Sequence, residues 1–332
     1  MLRPACFSFL VLVLSGCNAH SQDLPPSKYL SPERIHGVTA KIEQRYPESS
    51  AAEREAVLRT ILRALDEMVF VEGGEFEMGD FGWPCDRPLG DACEWPCGVP
   101  REQLCRITVN AEDDGLHLVR LTSYYLSSNQ TRLGDFDLFQ QVNDRPIMDA
   151  ADRDDEALAD WYQPDKPAPT KDWQQAKDYC NWLGDLSGLP VDLPTEAQWE
   201  YAARNRGQHV VYPTDNGRLD LRRNYPPRED GWTDGTFPVG SFPPNPLGIY
   251  DMAGNATDWV DDYDPGYDDG VVRENPRGQV TGTYRIKRGK GMDEHPSILA
   301  NTVVRWPEPA MQEDYSLYSS FRCSVQTDQP LK

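Results

Sequence analysis

The 332-residue chain is 39% hydrophobic and 26% charged, a globular balance with enough length for one large core or two ordinary ones. Its formal net charge of −21 argues against phosphate-backbone binding, which rests on clustered Lys and Arg, so no nucleic-acid partner is expected. The 28 Pro, 25 Gly, nine Trp and fifteen Tyr point to turns and loops pinned by aromatic side chains rather than to long regular elements.

The N-terminus addresses the compartment. Arg3 precedes an apolar run, Ala5 to Leu14, too short to span a membrane as a mature helix, and Leu14-Ser15-Gly16-Cys17 reads as a lipoprotein processing box. Residues 1–16 are therefore expected to be a signal peptide and Cys17 the lipidation site of a bacterial envelope protein. Asn18 after that cysteine suggests the outer membrane, with the protein facing the periplasm. Cys6 leaves with the signal. Cys85, Cys93, Cys97, Cys105, Cys180 and Cys323 then form an even set in an oxidising compartment, which implies three disulfides in fifteen formal pairings.

Residues 17–50 show no sustained periodicity and read as a lipidated tether. Over 51–65, Val57, Leu58, Ile61, Leu62 and Leu65 recur at helical spacing and predict a helix packed on the domain that follows. Met68 to Asp80 alternates on either side of Gly73-Gly74, the pattern of a β-hairpin. An insertion at about 80–106 follows, in which four cysteines among Pro and Gly need covalent staples. A four-cysteine zinc site lacks the paired CxxC knuckles and is disfavoured. His117 to Leu126 reads as one strand and Asp135 to Val142 as a short helix. Trp173, Ala176, Cys180 and Leu183 mark one face of a helix ended by Gly184, so Cys180 points inward. In DLPTEAQWEYAAR, Thr195 and Gln198 form a capping box behind Pro194 and start a second helix. Beyond residue 205 regular patterns give way to a turn-rich region.

Within that region Val239 to Pro265 carries five carboxylates and two turn signals. Asp251, Gly254, Asn255, Ala256 and Asp258 fall within eight positions, where carboxylates and carbonyls could converge on a hard cation such as calcium. On residue type alone, a solvated acidic loop fits equally well.

Four segments, MVFVEGGEFEMGD (68–80), DLPTEAQWEYAAR (192–204), VGSFPPNPLGIYDMAGNATDWV (239–260) and RIKRGKGM with SSFRCSV (285–325), together resemble the formylglycine-generating enzyme, or sulfatase-modifying factor, family over residues 66–325. The resemblance implies an α/β (α+β) domain, a variant of the C-type-lectin-like fold with little regular secondary structure, with 326–332 as a tail. It implies two structural calcium sites: one resembling Asn224, Tyr225, Asp230 and Trp232, the other Asp251, Gly254, Ala256 and Asp258. It also implies a disulfide between Cys180 and Cys323, leaving three pairings open for the four insertion cysteines.

The family's copper(I) thiolates, expected just after an RGGS motif, have no counterpart. The motif reads Arg288-Gly289-Lys290-Gly291, ungapped continuation places Glu294 and Leu299 at the thiolate positions, and no cysteine lies between Cys180 and Cys323. Carboxylate oxygen does not replace a copper(I) thiolate, so no copper is expected. The expectation is a catalytically silent, calcium-stabilised envelope lipoprotein. It would grip a protein partner, with Lys290 and Arg305 in the groove, as a secretion-system accessory or a toxin-immunity factor. The alternative is an oxidoreductase with a non-copper metal held by Asp293, Glu294 or His295.

Overall fold

The computed structural model describes residues 25–108, 115–156, 158–226, 235–264, 272–278, 281–291, 299–310 and 316–331. Two helices come first, α1 (Pro32–Arg45) and α2 (Ala51–Asp66). Strands β1 (Met68–Val71), β2 (Gly74–Met78), β3 (Trp83–Pro84), β4 (Leu104–Cys105), β5 (His117–Leu121) and β6 (Tyr124–Ser127) follow. Next are α3 (Leu133–Val142), α4 (Trp173–Ser187), β7 (Val191–Asp192) and α5 (Glu196–Ala203). The chain ends with β8 (Thr257–Tyr263), β9 (Arg273–Glu274), β10 (Tyr284–Arg288), β11 (Arg305–Pro309), β12 (Ser319–Phe321) and β13 (Ser324–Val325). The sheets are ordered β1-β6-β13-β7, β11-β10-β8-β12, β2-β5-β9 and β3-β4, with β12 parallel to β8 and β9 parallel to β5.

The expected tether is corrected over 25–50. Ser31 caps α1 by accepting the Arg34 N–H, Pro32 occupies the first turn, and Ile35, Val38 and Ile42 are buried. They join a core with Leu58, Ile61 and Leu65 of α2 and Trp182, Leu183 and Leu186 of α4. Trp182 Nε1 donates to the Tyr46 hydroxyl at 2.7 Å, so the segment is locked to the domain by a buried polar contact as well. The predicted helix over 51–65 is α2, capped by a Ser50–Glu53 box.

The expected hairpin at 68–80 does not form. β1 pairs with β6 and β2 with β5, so the two strands lie in different sheets, and the predicted strand 117–126 is likewise split in two. Gly73 sits at the crossing, where an added Cβ would lie 2.3 Å from the Leu121 carbonyl oxygen. The glycine therefore permits close backbone approach at a corner rather than a tight reversal. Gly184 does not end α4 either: the helix runs to Ser187, and Gly188, at φ +74°, caps it. Gly184 instead lets the helix pass close to the Leu189 and Val191 carbonyls.

Among the described residues three disulfides close the fold: Cys180–Cys323, as the resemblance implied, and within the insertion Cys85–Cys105 and Cys93–Cys97.

Candidate functional site

The middle of the molecule is a buried lattice of charge beneath β10. The capping box at Thr195 fixes the start of α5, and Glu196, Glu200 and Arg204 then follow at four-residue spacing on one face. Arg288 of β10 and Arg305 of β11 stand directly opposite each other. Like charges so placed repel, and Glu196 offsets this by accepting from Arg288 Nη1 at 2.8 Å and from Arg305 Nη2 at 2.6 Å. Glu200 accepts from Arg288 Nη2 at 3.0 Å and from Arg204 Nη1 at 2.8 Å. Burial alone would raise the Glu196 carboxyl, but Arg305 and Arg288 hold it below the usual carboxylate range. Asp262 accepts the Glu196 N–H at 2.7 Å, and burial, reinforced by the Glu196 charge, pushes its carboxyl up to about 8.

This lattice corrects the expectation for Lys290 and Arg305. They are 0% and 3% exposed; Lys290 donates to the Gly291 carbonyl, and Arg305 serves Glu196. Neither presents its charge to a partner. Sequence reasoning missed Glu196, Glu200, Arg204 and Asp262 as a unit. The signal was the i, i+4, i+8 charge row in EAQWEYAAR, on a helix whose every residue is buried.

The acidic turn is the second feature. Asp258 Oδ2 accepts from Arg322 Nε at 2.7 Å and Trp199 Nε1 at 2.9 Å, and its Oδ1 from Gln130 Nε2 at 3.0 Å. The same Gln130 Nε2 donates to the Ala256 carbonyl at 2.7 Å. Asp251 differs. Its Oδ2 accepts the Gly240 N–H at 2.7 Å, while its buried Oδ1 has no partner, and burial pushes this carboxyl up to about 6.

Asn224, Tyr225, Asp251 and Gly254 line one small pocket of about 20 Å³. The two stretches that sequence treats as separate calcium sites thus share a wall, although Asn224 Oδ1 already accepts the Asp220 N–H at 2.8 Å. The orphaned Asp251 oxygen fits a hard cation, whereas both Asp258 oxygens already accept hydrogen bonds from Arg322, Trp199 and Gln130. Among the described residues no group of three or more His, Cys, Asp or Glu side chains is arranged to hold a metal ion. Asp230, Trp232, Asp293, Glu294, His295 and Cys17 lie outside the described residues, and Leu299 is half-buried.

The insertion rests on an aromatic anchor. Trp95 stacks on His209 with ring centroids 3.6 Å apart, and the Arg101 guanidinium lies 4.6 Å from the Trp95 ring centroid. Glu77 accepts from both Arg101 and His209.

Fold and site define a formylglycine-generating-enzyme-type domain of the C-type-lectin-like class, with the cysteines of its described residues all in disulfides. Residues 54–325 match the sulfatase-modifying factor enzyme 1-like domain, and the chain belongs to that family. It is similar to the formylglycine-generating enzyme of Bos taurus, 34% identical over 139 residues, or 39% of this chain and 35% of that enzyme. It is also similar to the inactive C-alpha-formylglycine-generating enzyme 2 of Bos taurus, 38% identical over 96 residues, or 26% of this chain and 30% of that protein. Each match spans about a third of the curated relative's length. Among solved structures, PvdO from Pseudomonas aeruginosa shares the fold at a TM-score of 0.57 and 22% identity, covering 78% of this chain and 94% of that one.

Proposed function

We propose that this chain is a catalytically silent member of the family, anchored in a bacterial envelope through Cys17, stabilised by calcium and acting by binding a protein partner. The observation that carries the reading is the state of its cysteines: all six in the described residues are paired, leaving no thiolate there for copper(I). Arg288 at the end of the motif strand β10 and Arg305 of the neighbouring β11 are both held in internal ion pairs with Glu196, which accords with it. The similarity to a bovine relative named as inactive is in keeping with this.

The partner surface is the insertion at about 80–106, whose residues from Cys85 to Pro88 are exposed while Trp83 and Trp95 fix its base. Calcium would be held by Asp251 with the carbonyl-bearing turns around Asn224, Tyr225 and Gly254, and would act as scaffold. A secretion-system accessory and a toxin-immunity factor both suit such a protein.

The test is direct. The purified chain, loaded with copper(I) and given oxygen and a cysteine-containing sulfatase peptide, should form no aldehyde. Deleting residues 86–104 should abolish co-purification of an envelope protein that the intact chain retains. Aldehyde formation, or capture indifferent to the deletion, would overturn the reading.

A further inference from the structure

Because residues 25–50 are folded onto the domain, the link to an anchor at Cys17 is short. From Cys17 to Pro25, the first described residue, the chain advances eight residues, which even fully extended reach about 28 Å. A tether running to residue 51 would have reached about 115 Å. A domain of about 300 residues measures roughly 50 Å across. The longer reach would let any face meet the bilayer. The shorter one restricts the bilayer to the face at which the chain enters the fold.

That entry point is pinned. Ser27 Oγ donates to Asp66 Oδ1 at 2.6 Å, the Lys28 N–H to the same oxygen at 2.8 Å, and the Tyr29 hydroxyl to the Met68 carbonyl at 2.9 Å. Leu30 is then buried in the core. The chain thus enters beside the first residue of β1, which lies at the edge of its sheet. Two residues further along β1, Phe70 is 46% exposed, the only exposed phenylalanine among the described residues. Its ring meets Tyr125 edge-on with centroids 5.1 Å apart, and Tyr125 meets Tyr29 at 5.9 Å. Lys28 is exposed, with Nζ 4.4 Å from the Tyr29 ring centroid, and has no ion pair among the described residues. The neighbouring acids are engaged: Asp66 by the groups just named, Glu67 by Arg132 at 2.7 Å and Glu72 by Arg206 at 2.5 Å.

A bare aromatic on an edge strand is a pairing liability in free solution. Aromatic rings beside an unpaired ammonium suit the headgroup layer of a bilayer, where the rings reach the acyl boundary and the ammonium reaches phosphate. We propose that the face formed by Lys28, Tyr29 and Phe70 rests on the phospholipid bilayer that holds Cys17, with Phe70 in the headgroup layer and Lys28 on lipid phosphate. The proposal rests on the anchoring through Cys17 given above. One half-exposed ring is too little to hold a free chain of net charge −21 on a membrane, so the contact depends on the link, which keeps the bilayer within reach.

The experiment uses the full chain, matured in a bacterial envelope and reconstituted into vesicles of phosphatidylethanolamine and phosphatidylglycerol. Phe70→p-benzoylphenylalanine puts a photoreactive ring in place of the native one, and Glu43→p-benzoylphenylalanine puts it on the exposed side of α1 near its far end. After irradiation, peptide mass spectrometry should find at least tenfold more lipid adduct at position 70 than at position 43. The C17S chain with the probe at 70 should stay in solution and give none. Intact mass separately shows whether Cys17 carries lipid. A lipidated chain with equal adducts at 70 and 43, or with position 70 joined to a second copy of the chain instead of to lipid, overturns this inference and leaves the anchor standing. Lipid adducts as abundant from C17S overturn the dependence on the link, and a chain without lipid on Cys17 overturns both readings.

Discussion

Arg322 Nε lies 2.7 Å from Asp258 Oδ2, and neither side chain is more than 2% exposed. Arg322 also donates to the carbonyls of Ser127, Ser128 and Tyr250, so this guanidinium ties β6, the acidic turn and β12 together. Removing one partner of such a pair strands the other's charge in the core, which costs about 3–5 kcal/mol. Arg322→Met should lower unfolding stability by that amount in urea. Asp258→Asn should cost less, because Arg322 keeps its three carbonyl acceptors. Equal losses would mean that the carbonyl contacts contribute nothing.

Asp262 gives a pH signature. Its folded carboxyl is pushed up to about 8 by burial, against about 3.9 for an unfolded aspartate. The folded state therefore holds the proton more tightly. The stability this contributes is fully present below about pH 4 and is lost as pH rises towards 8, by about 1.4 kcal/mol per unit across that window. Asp262→Asn, which can still accept the Glu196 N–H, should flatten this loss and leave the variant more stable than wild type at pH 8.5. Urea midpoints of both chains from pH 5 to 9 check it; parallel curves would show that Asp262 ionises normally.

Local signals were legible where a side chain must satisfy a nearby backbone group or a helical stripe. Thr195 and Gln198 announce α5, Val57 to Leu65 announces α2, and both hold. Signals failed where the deciding contact lies far along the chain. Gly73-Gly74 has the composition of a hairpin turn, and only the approach of Leu121, about fifty residues away, makes it a corner. Ile35, Val38 and Ile42 do carry helical spacing, but three apolar residues in a polar stretch say nothing until α4 supplies the surface they cover. At the site, the four-residue spacing of Glu196, Glu200 and Arg204 does not by itself signal burial; the arginines that pair with the two glutamates come from β10 and β11, some ninety to a hundred and ten residues later.

The helix in place of a tether is open to test at Ile42, which is 1% exposed. Truncating a buried Ile to Ala costs about 2–5 kcal/mol, depending on how well the cavity collapses. Ile42→Ala should lower the urea midpoint accordingly, and Glu43→Ala on the exposed side of the same helix should leave it unchanged. A tether would be indifferent to both.

Calcium should reveal itself through Asp251. This carboxylate has one buried oxygen without a partner, beside the pocket it shares with Asn224, Tyr225 and Gly254. A cation placed there supplies the missing partner and binds only the folded chain, so it stabilises by mass action, about 2.7 kcal/mol at a hundred times the dissociation constant. Adding calcium to chelator-treated protein should raise the melting temperature, and magnesium should do so less, since it tolerates an irregular set of carbonyl ligands poorly. Asp251→Asn should remove most of the calcium response. Asp258→Asn should lower the baseline through Arg322 yet keep the response, because the Asp258 oxygens are already engaged by Gln130, Trp199 and Arg322. If Asp258→Asn abolishes the response instead, the carboxylate must leave Arg322 to reach the ion, and the acidic turn is one calcium site rather than a cation niche beside an internal ion pair.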